Sequence, residues 1–228
     1  MSTLPNPPQV ASTRVVRYQQ PSALSAHPSV VMATLDASQK RDQNLVSLAA
    51  GASLHKGLNS PGTNVVQLYT AATYYLMSDL TITQGVALRG MPGCVVRGYK
   101  GLLPCIIVDA GADSVVEFRG VTFAVPLVAK SRVRIIDCYF LGTQFPAWAT
   151  LPVVEIQGAN AAQSLVQGCE SDATGDGTQG VWVHALAAGC RIVGNDFSSC
   201  VTPYYLGSLL GTHTGPDANH GVVTSYTE

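Results

Sequence analysis

Between residues 73 and 207 one phrase recurs: a short β-branched run, a turn at Gly or Asn, then another short run. Its clearest copies are Val115-Val-Glu-Phe-Arg-Gly-Val-Thr-Phe123, Val133-Arg-Ile-Ile-Asp-Cys-Tyr-Phe140, Leu165-Val-Gln-Gly-Cys-Glu-Ser171 and Cys190-Arg-Ile-Val-Gly-Asn-Asp-Phe197. Aligned on Phe123, Phe140, Ser171 and Phe197, they stand 17, 31 and 26 residues apart. Repeats of this length and irregularity constrain the chain to a solenoid of stacked strands rather than a closed globular sheet. Tight hairpins are disfavoured on a second count. Two-residue hairpin turns call for Asn-Gly or Asp-Gly, and Asp176-Gly177, inside a longer loop, is the one clear case. Strands that pair a full circuit apart need none.

The copies also agree in where their small residues fall. Two positions before the aligned column stand Val121, Cys138, Cys169 and Asn195. In stacked coils, residues at one position form a ladder with a step of about 4.8 Å, so like side chains lie on one another. Phe123, Phe140 and Phe197 are expected to form a core ladder by the same logic. Further short strands follow from the runs at 65–69, 73–77, 80–83, 86–90, 94–98 and 105–110, punctuated by Gly, Pro-Gly and Gln-Gly turns.

Only 12% of residues are charged, about half the usual share. That poverty suits a solenoid with neutral polar faces, or a subunit covered by neighbours. The net charge of −1 and the lack of a sustained basic run leave no electrostatic footprint for nucleic acid. No run of eighteen apolar residues suggests a membrane span, and the first residues do not read as a secretory signal. The six cysteines, at 94, 105, 138, 169, 190 and 200, lack zinc-ligand spacing and read as buried free thiols. A pairing of Cys190 with Cys200 stays open at this level.

The flanks differ from the repeat. Residues 1–40 carry Pro5, Pro7, Pro8, Pro21 and Pro28, which exclude a long helix or an interior strand. Their apolar patches, Val15, Val16 and Tyr18, then Val30, Val31 and Met32, suggest an extended arm that orders on a partner. Residues 41–64 read as a cap segment, with a short helix predicted over 39–51 to cover the first coil. The repeat proper is assigned to 65–207 and a polar tail to 208–228. Loops that interrupt a solenoid build its working surface. Phe145 and Trp148, in the loop 142–152, are the candidate contact residues for sugar or protein.

The stretch Thr73-Tyr-Tyr-Leu-Met-Ser-Asp-Leu-Thr-Ile-Thr-Gln-Gly-Val-Ala-Leu-Arg-Gly-Met-Pro-Gly93 resembles the opening coils of pectin-lyase-like right-handed parallel β-helices. The later Val-x-Ile-x-Asn/Asp-x-x-Phe pieces resemble their middle coils. The resemblance implies an all-β fold: a short right-handed parallel β-helix with an extended N-terminal arm. That family holds lyases, hydrolases, phage tailspikes and non-enzymatic virion proteins, so fold alone does not choose a function. The hydrolase signatures Asn-Thr-Asp, Asp-Asp and Gly-His-Gly are missing, and no catalytic set is assigned. Glu170, Asp172 and Asp176 form a weak alternative calcium site. Asp109, Glu117, Asp137, Glu155 and Asp196 are singly placed acids that one coil face could gather. His184 reads as an outward strand residue.

The expected role is therefore that of a phage virion structural protein: a capsid decoration or cement protein, or a short spike or adhesin. Expected partners are other virion proteins and, by the resemblance, two further copies in a homotrimer. A host surface glycan is the outlying partner. No cofactor is expected, and the expected location is the virion, after synthesis in host cytoplasm. The competing expectation is a carbohydrate-active enzyme or glycan-binding module on the same fold.

Overall fold

The computed structural model describes residues 54–68, 71–142, 152–172, 179–207, 219, 221 and 223–225, and the backbone of strands Val30–Met32, Leu45–Leu48 and His213–Thr214. Its strands lie in three sheets of nine, five and seven, here A, B and C. From Val65 to Val193 successive strands visit the sheets in turn. Val65–Leu68 lies in A, Thr73–Leu76 in B and Leu80–Ile82 in C; Ala87–Arg89 then returns to A. Each strand pairs in parallel with those one circuit away. The single antiparallel pairing among the described residues joins Val30–Met32 to Leu45–Leu48 at the edge of sheet A. The fold is all-β with stacked parallel sheets, an arrangement compatible with a solenoid.

Burial alternates along the strands. In Val116–Arg119 the odd members Val116 and Phe118 are buried while Glu117 and Arg119 face outward. Val133–Ile136, Thr73–Leu76 and Val95–Gly98 repeat the pattern. The inward residues of all three sheets merge into one hydrophobic cluster running from Leu54 to Leu206. Each fully buried Leu, Ile or Phe contributes about 1.5–3 kcal/mol relative to exposure. That is the main force holding the sheets face to face.

The predicted column is in register. Phe123 pairs with Phe140, Phe140 with Ser171, and Glu170 bridges to Asp196, which sets Phe197 next in line. Phe123 and Phe140 stack at 5.5 Å, and Phe197 tilts to within 6.1 Å of Phe140, filling the space that small Ser171 leaves.

The turn from A to B repeats with equal regularity. Gly120, Asp137, Gly168 and Gly194 all take positive φ, between 52° and 67°. One left-handed residue at that corner swings the chain from one sheet to the next. Immediately after it comes the column of small residues. The Asn195 side chain donates to Val166 O at 3.0 Å and accepts from Cys169 N at 2.9 Å. Asn219 repeats this one circuit on, donating to Ile192 O at 2.7 Å and accepting from Asn195 N at 3.0 Å. Cys169 sends its thiol toward Ile135 O at 3.5 Å, the equivalent carbonyl one circuit back. A weak thiol donor thus stands where the later circuits place an amide. All six cysteines are free.

Two expectations need correction. Residues 39–51 were expected to hold a short helix, but Leu45–Leu48 is a strand paired in parallel with Val65–Leu68. The helix, α1, is Leu54–Asn59. The second correction concerns the acids. Glu117 lies on sheet A, Glu155 on sheet C and Asp196 against sheet B, with Asp109 just past a strand of C and Asp137 at the A–B corner. No single face gathers them. The acids occupy different positions within their circuits, so the parallel register places them on different faces.

Candidate functional site

Sheet C carries one outward column: Thr81, Ile107, Val128, Glu155, Trp182, Tyr205 and Thr224, each in register with the next. Its middle departs from the neutral pattern. Glu155 Oε1 lies 2.8 Å from Nε2 of His184, which follows the strand Gln179–Val183. The two side chains are 20% and 23% exposed, so solvent reaches them without fully screening them. The His184 ring stacks on Trp182, with centroids 4.5 Å apart and planes 14° apart. Tyr205 meets Trp182 edge-on at 5.5 Å.

Each position follows from the pairing. Glu155 is directly opposite Trp182, and Trp182 opposite Tyr205; parallel register therefore stacks acid, indole and phenol at intervals of about 4.8 Å. The arrangement offers a carboxylate–imidazole pair able to hold or pass a proton. Beside it lie aromatic faces of the kind that cover the apolar side of a sugar or a peptide. Glycoside hydrolysis ordinarily uses two carboxylates flanking the bond. In this column Glu155 is the one carboxylate.

Sheet B carries the second cluster. Tyr139 stands opposite Glu170, and Glu170 bridges to Asp196. Asp172 accepts from Gly142 N at 2.8 Å, so it pins the chain leaving the strand Tyr139–Phe140. Asp196 accepts from Ser198 N at 3.1 Å and from its hydroxyl. Partial burial, then the nearby Asp172 and Glu170 carboxylates, push the Tyr139 phenol above its ordinary range.

The candidates read from sequence fare unevenly. Glu170 and Asp172 fall at the same end of sheet B, while Asp176 lies outside the described residues. Among the described residues no three His, Cys, Asp or Glu side chains are grouped to hold a metal ion. Phe145 and Trp148 lie outside the described residues, as do Val15, Val16 and Tyr18. Val30, Val31 and Met32 form the strand antiparallel to Leu45–Leu48, with Val30 opposite Leu48 and Met32 opposite Val46. The Glu155–His184 pair escaped sequence reading because its members are 29 residues apart. The one usable signal was the circuit length, which places Gln157 and His184 at the same level.

A scan against protein-family models, a search of curated proteins and a search of solved structures each returned no match. No helix among the described residues is long and apolar enough to cross a membrane.

Proposed function

We propose that the chain is a short right-handed parallel β-helix of the pectin-lyase-like kind, serving as a phage virion structural protein. Within that class the favoured role is a capsid decoration or cement protein held to its neighbours through its N-terminal residues; a short spike or adhesin is the second form. The observation that carries the reading is the unbroken parallel register through seven strands of sheet C. Such a stack is stiff and presents flat faces, which suits a part held in an assembly. The scatter of acids over three faces and a corner supports scaffolding over glycan cleavage. The strand Val30–Met32 supports attachment, because it ties the preceding residues to one edge of sheet A.

The test is native mass, alone and with candidate virion subunits, for the full chain and for a form lacking residues 1–29. Cutting there keeps Val30–Met32 over Leu45–Leu48. The expected result is a complex with the full chain, none with the truncated one, and the same β signal in circular dichroism for both. Equal binding by the truncated chain would contradict attachment through its N-terminal residues.

A second reading, a glycan-binding or glycan-cleaving protein, is favoured by the cluster Glu155, Trp182, His184 and Tyr205. A panel of bacterial polysaccharides scored for new reducing ends, unsaturated uronates and binding separates the two. Activity or binding lost in Glu155→Gln or Trp182→Ala would select this second reading.

A further inference from the structure

The outward face of sheet A is charged in one sense. Arg89, Arg119, Arg134 and Arg191 stand on it with a single carboxylate, Glu117. Arg89 and Arg119 are direct cross-strand partners, as are Glu117 and Arg134. Arg119 reaches Glu117 at 3.5 Å; among the described residues Arg89, Arg134 and Arg191 make no ion pair. Sheet B carries the opposite charge on its later circuits. Exposed Glu170 stands against Asp196 across a parallel bridge, with Asp172 two residues further on.

Like charges placed directly opposite each other destabilise a sheet. This chain does so twice, with arginines on one face and carboxylates on another, while its net charge stays at −1. The two patches also overlap in height. Arg191 begins the sheet A strand that leads into Asp196, and Arg134 lies one circuit, about 4.8 Å, before Glu170. A copy turned about an axis parallel to the stack brings its Asp196 to the height of its neighbour's Arg191, and its Glu170 to within one strand spacing of Arg134, a gap that a long arginine side chain spans. Guanidinium forks suit carboxylates by their paired geometry.

We propose that sheet A of one copy docks on sheet B of a second copy, with Arg134 and Arg191 opposite Glu170 and Asp196. The two patches differ, so the contact is head-to-tail and closes into a ring when its rotation permits. The inference does not depend on the virion reading.

The test is sedimentation equilibrium of the full chain at about 0.1 M and about 1 M salt, where screening lengths are about 10 Å and 3 Å. An oligomer at the lower salt that falls to monomer at the higher is expected. Arg134→Glu, and separately Glu170→Arg, each weaken association at least tenfold at the lower salt. Mixing the two variants restores it, since each then carries the complement of the other's altered face. Circular dichroism checks that each variant keeps its β signal; if one does not, the salt response of the unaltered chain decides. A monomer at both salts, or an oligomer indifferent to salt and to the reversals, overturns the proposal. A monomer that binds polyglutamate through these arginines assigns the face to a foreign polyanion and overturns it too.

Discussion

Asp137 holds a backbone position that its counterparts Gly120, Gly168 and Gly194 fill with glycine, at a φ of 52°. A left-handed conformation costs an L-residue about 1 kcal/mol, and Asp is among the residues that tolerate it. A Cβ on Gly168 would sit 2.5 Å from Asp137 Oδ1. Gly168→Ala should therefore lower unfolding free energy by about 1–3 kcal/mol in urea titrations, combining backbone strain with that clash. Adding Asp137→Gly should recover part of the loss, a non-additivity expected of touching residues. The buried thiols predict a pH response. Burial pushes Cys190 and Cys200 up to about 11. A thiol held above its unfolded value stabilises fully below that value, near 9, and the contribution is lost as pH rises through about 11. Two pK units correspond to about 3 kcal/mol per thiol. The thiol contribution to stability should be constant below about pH 8.5 and fall between about 9 and 11, with a shallower fall in Cys190→Ala. Equal slopes would contradict this. At this scale the column Val121, Cys138, Cys169 and Asn195 was legible, because the phrase around it repeats. Asn219 was not, since its sequence neighbours break the phrase, and only its bonds to Ile192 and Asn195 place it.

Among the elements, α1 shows how a short helix can stand in for a strand. Its last residue, Asn59, donates to Thr81 O at 2.8 Å and accepts from Thr83 N at 3.0 Å. These are the groups that a further strand of sheet C would have satisfied, so the side-chain amide blunts an otherwise open edge. Gln84 adds bonds to Leu58 O and Ser60 O at 2.9 and 2.8 Å. Leu54 and Leu58 meanwhile close the end of the core. Asn59→Ala should speed hydrogen exchange at the Thr83 amide about fivefold to tenfold, for a bond worth about 1 kcal/mol, while leaving Phe118 and Phe140 unchanged. A short helix was expected before the first strands of the repeat, but its position was not legible. Leu45, Val46 and Leu48 form a brief apolar run whose period fits either helix or strand. The partner Val65–Leu68, twenty residues on in the register, decided it. Nothing local announced that partner.

For the whole molecule, one core lined by three parallel sheets accounts for both the strand-rich sequence and its low charge. Inward positions are mostly apolar, and the outward ones are sorted by face: arginines on A, carboxylates on later B, and an aromatic and acid–base cluster on C. Stacking was legible from the recurring phrase and the scarcity of hairpin turns. The sorting was not, because circuits of 17, 31 and 26 residues hide which outward residues share a side. From Val65 onward the strands pair one circuit apart and all in one direction. Backbone nuclear Overhauser contacts test this most directly. The expected result is the parallel pattern linking Val96 to Phe123, Phe123 to Phe140 and Phe140 to Ser171. Close Hα–Hα contacts joining Val116–Arg119 to Thr122–Ala124 as an antiparallel hairpin would contradict it.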